Sequence, residues 1–155
     1  MRTLGDLNAL LNDFRKVTAI AKVSLSPDAL SFKSLPAPHT SFNLPNGKSA
    51  VYVFIRNGVC LKVGKVGPKS NARFNSQHYN PSSSNSNLAK SIVARQGEIG
   101  ASGLTESDVG DWIKNNVDRV NFFLNDECDI FILGLLESFL QCRLQPIFEG
   151  FESQR

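Results

Sequence analysis

Residues 50–64 read AVYVFIRNGVCLKVG, and no other stretch of the chain leaves the backbone so few choices. Two runs of β-branched, aromatic and aliphatic residues meet at Asn57-Gly58, the dipeptide that best supplies the positive φ angles of a two-residue hairpin turn. The spacing predicts two antiparallel strands over 50–64.

The rest of the chain reads around that hairpin. Leu4, Leu7, Leu10, Leu11, Phe14, Val17 and Ala21 recur at three- and four-residue steps, the stripe of an amphipathic helix over about 3–22 that packs on the domain or on a second copy. The stretch from Ser24 to Lys48 holds Pro27, Pro36, Pro38 and Pro45 without sustained periodicity, so it is expected to be a connecting segment. Asn71 to Gln77 forms a short helix, and the polar run from Tyr79 to Asn87 a loop. Ser86 is placed to cap a helix ending near Arg95, and Thr105 to cap one ending near Asn115. VDRVNFFL alternates like a half-buried strand from Val117 to Leu124, and a final helix runs from about Asp129 to Leu144, ahead of Pro146. This order implies a small α/β (α+β) domain on a central antiparallel three-stranded sheet flanked by helices. The chain then divides into an N-terminal helix and connecting segment, 1–48, and a main domain, 49–155.

The 155 residues suffice for one domain with its own core, and no apolar run is long enough to cross a bilayer. Polar residues interrupt the N-terminal apolar positions, unlike a signal peptide, so an intracellular, cytoplasmic address is expected. Cys60, Cys128 and Cys142 are odd in number and lack CxxC spacing, which argues against a disulfide framework or a cysteine-rich zinc site.

Charge is distributed unevenly. Residues 1–100 carry 13 Lys+Arg against 4 Asp+Glu, a net +9, whereas residues 101–155 carry 4 against 10, a net −6. Between Asp28 and Glu98 there is no acid at all. Lys48, Arg56, Lys62, Lys65, Lys69, Arg73, Lys90 and Arg95 fall in that window among Ser, Asn, Gln, His and Tyr, the side chains that contact nucleic-acid backbones. The plain alternative is a solvated basic face balancing an acidic one.

Glu137 is the most informative single residue. It lies in DIFILGLLESFLQCRLQ, apolar around most of a helix, and is the only acid between Asp129 and Glu149. A lone carboxylate there costs several kcal/mol unless it is neutralised, paired with Arg or Lys, or bound to a cation. Gly134, one turn earlier, leaves room for an ion or a phosphate. A second constellation joins Tyr52 on the first strand, Lys62 and Lys65 on the second, and Arg73 and His78 beyond. Phosphodiester cleavage asks for this inventory: a group that activates water, positive charge for the developing phosphorane, and commonly a divalent metal. Each residue also has a structural role open to it, in packing or solvation.

The stretch AVYVFIRNGVCLKVGK resembles the paired strands of the GIY-YIG nuclease superfamily, with Ala50-Val51-Tyr52 at the first motif and Lys62-Val63-Gly64-Lys65 at the second. NARFNSQHY resembles the helix that bears the family's catalytic arginine, and ESFLQCRLQP its metal-binding glutamate followed nine residues later by proline. The resemblance spans about residues 49–149. It implies that Tyr52 activates or orients the attacking water, that Arg73 stabilises the scissile phosphate, and that Glu137 holds one divalent cation, Mg²⁺ or Mn²⁺, with water completing its shell. Lys62 replaces the second motif's tyrosine, and Glu149 replaces the asparagine that often follows the proline. His78 lies five residues after Arg73 instead of the usual four, so in a continuous helix Gln77 would share the Arg73 face; Tyr79 is then a candidate for the missing tyrosine.

The implied function is a metal-dependent endonuclease on DNA, double-stranded ahead of single-stranded, of restriction, defence, repair or mobile-element type. Lys48, Lys65, Lys69, Tyr79, Lys90 and Arg95 are the expected DNA contacts, and the N-terminal helix is the expected homodimer element. Two other readings stay open: a catalytically silent nucleic-acid-binding module of the same fold, and a protein-interaction domain using the acidic C-terminal half.

Overall fold

The computed structural model describes residues 4–83, 87–125 and 128–149. Asn57 and Gly58 both take positive φ, 51° and 77°, so the hairpin closes through the expected two-residue turn. It joins β2 (Lys48–Arg56) to β3 (Val59–Val66), antiparallel and in register from Ala50 opposite Val66, with a bulge between Phe54 and Ile55. β4 (Asp118–Asn125) pairs with the other side of β2.

The sheet has four strands where three were expected. Leu30–Leu35 forms β1 and pairs antiparallel with β4, giving the order β1-β4-β2-β3. The prolines that mark 24–48 as a connection bracket this strand, between Pro27 and Pro36. As an edge strand β1 needs only one set of ladder bonds, so nearby prolines do not forbid it. The opposite edge, β3, is covered by the chain after the last helix. Ile147 and Phe148 donate backbone N–H bonds to the Cys60 and Leu61 carbonyls at 3.2 and 2.9 Å, and Val63 N–H donates to Glu149 Oε1 at 3.0 Å.

Helices cover both faces. On one side lie α1 (Leu7–Ile20) and α5 (Ile130–Leu144). Leu10, Leu11 and Phe14 of α1 pack with Leu133, Leu136 and Leu140 of α5 over Val51, Val53, Val120, Phe122 and Leu124. The leucine stripe is therefore used within this chain, and residues 7–35 share a core with the main body beyond residue 48. On the other side lie α2 (Asn71–Asn75), α3 (Leu88–Arg95) and α4 (Val109–Asn116), which close over Tyr52, Phe54 and Phe123. The expected cap Ser86 lies outside the described residues; Asn87 caps α3, its side chain accepting from Lys90 N–H at 2.8 Å. α4 starts at Val109, later than Thr105 suggested, and Gly110 allows close approach: a Cβ there would lie 2.5 Å from the Tyr79 carbonyl oxygen. Among the described residues no helix is long and apolar enough to cross a membrane.

Candidate functional site

Strand parity divides the predicted residues into two groups. Tyr52 faces Gly64 on β3 and Asn121 on β4, while Phe54 faces Lys62 and Arg119, so these side chains share the α2–α4 face. Lys65, opposite Val51, points to the α5 face, where Glu137 lies. The two groups come closest around Gly64.

Tyr52 is 1% exposed. Its ring lies across Gly64, where a Cβ would stand 2.6 Å from Tyr52 Cζ and closer still to the hydroxyl. Only glycine leaves that space. Burial pushes the Tyr52 hydroxyl above its ordinary range, and the positive charge of the nearby Arg73 guanidinium opposes that push. Arg73 itself is exposed on α2, so one face of its guanidinium is open to a ligand.

His78 is brought back to Tyr52 because α2 stops at Asn75 and a tight turn over Gln77–Tyr79 swings the ring inward. The continuous helix that would have favoured Gln77 is not formed. The His78 and Tyr52 ring centroids stand 4.1 Å apart, and Phe54 lies 5.2 Å away on another side of the imidazole. Burial holds His78 well below its ordinary pKa, with Arg119, Arg73 and Lys62 adding to the effect. It is neutral at pH 7, and its Nε2 has no hydrogen-bond partner among the described residues.

Lys62 is buried on the Tyr52 face. Glu149 is half-buried near it, held by Val63 N–H and, at 3.4 Å, by Gln141 Nε2. Burial raises the Glu149 carboxyl, opposed by the Val63 bond and by the Lys62 charge, while Glu137 adds to the rise. On the other side of Gly64, Lys65 forms an ion pair with Glu137 Oε2. This answers the compensation that the sequence demanded. Glu137 Oε1 accepts no hydrogen bond among the described residues, and the space before Gly134 is open, with nothing within 4 Å of a Cβ there. A single carboxylate with a free oxygen and room for water fits Mg²⁺ or Mn²⁺, which keep several waters when protein-bound. No group of three or more His, Cys, Asp and Glu that could hold a metal occurs among the described residues, so such an ion would rest on Glu137 alone.

One residue of each group borders a cleft of about 300 Å³ between the ends of β2 and β3, the turn into α2, and the start of α5; Tyr52, His78 and Glu137 are not among the residues that line it. Lys65 and Arg73 both line it, and Lys69 stands exposed in the turn beside it. A phosphate entering there would meet two cations from opposite faces of the sheet.

Several expected DNA contacts lie elsewhere. Tyr79 is buried, and its hydroxyl is taken by His39 Nε2 at 3.0 Å and Arg119 at 3.1 Å, which corrects its placement as a DNA contact and as a catalytic tyrosine. Arg95 forms a two-pronged bond to Glu98, the first acid after the basic window, at 2.6 Å for each prong. Lys48 donates to Asn125, whereas Lys90 is exposed on α3.

Sequence reasoning missed Arg119, the centre of the polar layer. It is fully buried, donates to Asn121 Oδ1 at 2.8 Å and the Phe74 carbonyl at 2.7 Å, and lies over the Phe74 ring at 4.4 Å. No ion pair to Arg119 is formed among the described residues; dipoles and aromatic faces balance its charge. Its alternation with Asn121 was visible, but it reads as a solvent-facing row. Compared with known proteins, the chain matches no family model, no curated protein and no solved structure.

Proposed function

We propose that this chain is a divalent-metal-dependent endonuclease of GIY-YIG type that hydrolyses phosphodiester bonds in DNA. The observation that carries the reading is the placement around Gly64: the Arg73 charge near the Tyr52 hydroxyl to one side, Lys65 on the Glu137 carboxylate to the other, with both cations lining one cleft. Hydrolysis needs a water aimed at phosphorus and positive charge beside the oxygens that gain negative charge as the P–O bond breaks. Arg73 supplies fixed charge and two or more donors to a nonbridging oxygen. Burial keeps Tyr52 protonated at neutral pH, so its hydroxyl orients the water. Glu137 would hold the metal ion, which supplies charge neutralisation and a more acidic bound water. With Glu137 holding the ion, Lys65 would be free to contact the backbone phosphate.

A second reading, a silent nucleic-acid-binding module, draws support from the 1% exposure of Tyr52 and from the Lys65–Glu137 pair already satisfied without metal. Plasmid and single-stranded DNA incubated with the protein and with Glu137→Ala, in Mg²⁺, Mn²⁺ or chelator, separate the two. The nuclease reading expects metal-dependent nicking, lost in chelator and reduced by about 10²-fold or more in Glu137→Ala, as when a single charge-stabilising group is removed from an active site. Salt-sensitive binding without cleavage in any metal leaves the binding module.

A further inference from the structure

Two exposed side chains sit beside the cleft and have no structural reason to be apolar. Ile130 is 71% and Phe131 82% exposed; with Ile20 they are the exposed large hydrophobics among the described residues. They are adjacent in the first turn of α5, where Asp129 Oδ1 accepts from Phe131 and Ile132 N–H, each at 2.9 Å. The cap holds that turn firmly, so both side chains project from a fixed base. Ile130 also forms part of the cleft wall.

The cleft has a matching chemistry. Val66, Pro68 and Leu133 give it apolar walls, Ser49 and Ser70 add hydroxyl groups, and Lys65 and Arg73 line it together with the capping carboxylate of Asp129. Its occupant should have a flat apolar body, a polar edge and an attached anion. At about 300 Å³ the space lies at the small end of the roughly 300–1,000 Å³ range of ligand pockets. One nucleotide meets each requirement. An acidic peptide would use the cations but leave the exposed phenyl ring and isoleucine without a role.

A stacked base cannot enter a concave cleft, and taking it out of a duplex costs a few kcal/mol. Apolar side chains inserted between base steps offset that cost by filling the vacated stack. We infer that the cleft receives a single nucleotide extruded from DNA next to the scissile phosphate, with Ile130 and Phe131 acting as the wedge that replaces it. This rests on the nuclease reading and adds a substrate conformation to it: the enzyme would favour sites where unstacking is easy, such as mismatches and flexible pyrimidine–purine steps.

The test uses the full-length protein and duplexes with 2-aminopurine walked through consecutive positions, in chelator so that no strand is cut. The residues lining the cleft include no aromatic ring, so an extruded base placed there is not quenched by stacking. Expected is a several-fold fluorescence rise at one position, lost in Phe131→Ala and reduced in Ile130→Ser. Both side chains are largely exposed, and unchanged melting curves would establish that the variants fold. Salt-sensitive duplex binding with no bright position overturns the extrusion and leaves the nuclease reading standing. Absence of DNA binding overturns both, and a rise unaltered in both variants overturns the wedge.

Discussion

The two faces of the sheet are made by the same strands yet are chemically opposite. Under α1 and α5 the strands present Val51, Val53, Val63, Val120, Phe122 and Leu124, an apolar layer closed by leucines and Phe14. Under α2, α3 and α4 the same strands present Tyr52, Lys62, Arg119 and Asn121 beside Phe54, and the buried ring of His78 joins them. The first face stabilises through area removed from water. The second spends part of that gain on desolvating polar groups, which is tolerated where each finds a partner or a function. Tyr52 and Arg73 belong to the second face, and the Lys65–Glu137 pair touches the first only at its rim, beside the cleft.

That difference can be broken first on the apolar face. Phe14 is fully buried, so Phe14→Ala is expected to destabilise the protein by about 3–5 kcal/mol. Urea unfolding measures this, and the remaining folded protein should keep its DNA affinity, because Phe14 is not among the residues that line the cleft. A loss of affinity in fully folded protein would mean that the two faces are not separable.

Gly64→Ala tests the polar face. The added methyl group meets the hydroxyl end of the Tyr52 ring, which is buried and has little room to move, so about 1–3 kcal/mol is expected, the usual cost of overpacking. Here, unlike in Phe14→Ala, cleavage should fall further than stability, because the displaced hydroxyl moves relative to the Arg73 charge beside it. Equal loss in both quantities would remove Tyr52 from the site.

The smallest effect is the response to acid. His78 and His39 are both held below their ordinary value of 6.5 by burial, with Arg119 contributing at each. The unfolded chain takes up protons below about pH 6.5 that the native protein refuses. The stabilisation from neutral imidazoles is therefore complete above that pH and is lost as pH falls through the window below it. The slope is at most about 1.4 kcal/mol per pH unit for each proton. Glu149, raised by burial, acts in the opposite sense above its ordinary 4.5, so comparing urea midpoints of the protein and His78→Phe between pH 7.5 and 5 isolates the imidazole. An identical pH dependence in the two proteins would show that His78 is not held neutral.

Much of this could be anticipated from residue order. The hairpin was legible because Asn57-Gly58 and its flanks agree at every level, and α1 and α5 because their apolar residues keep helical spacing. β1 was hidden by prolines on either side, which report on local conformation and say nothing of a partner strand 80 and more residues away. Arg119 and Asn121 were missed for a related reason. Alternation in β4 tells which side chains share a face, but burial of both faces depends on helices far along the chain.

By itself, the sequence determined the periodicities, the turn, the acid-free basic window and the need for Glu137 to have a partner, all local or additive properties. Tertiary structure alone decided which partner: Lys65 in place of solvent for Glu137, and the Arg119 guanidinium for Tyr79. Pairing of charges depends on distances of a few ångströms between residues tens of positions apart. Those distances are set when the helices close over the sheet.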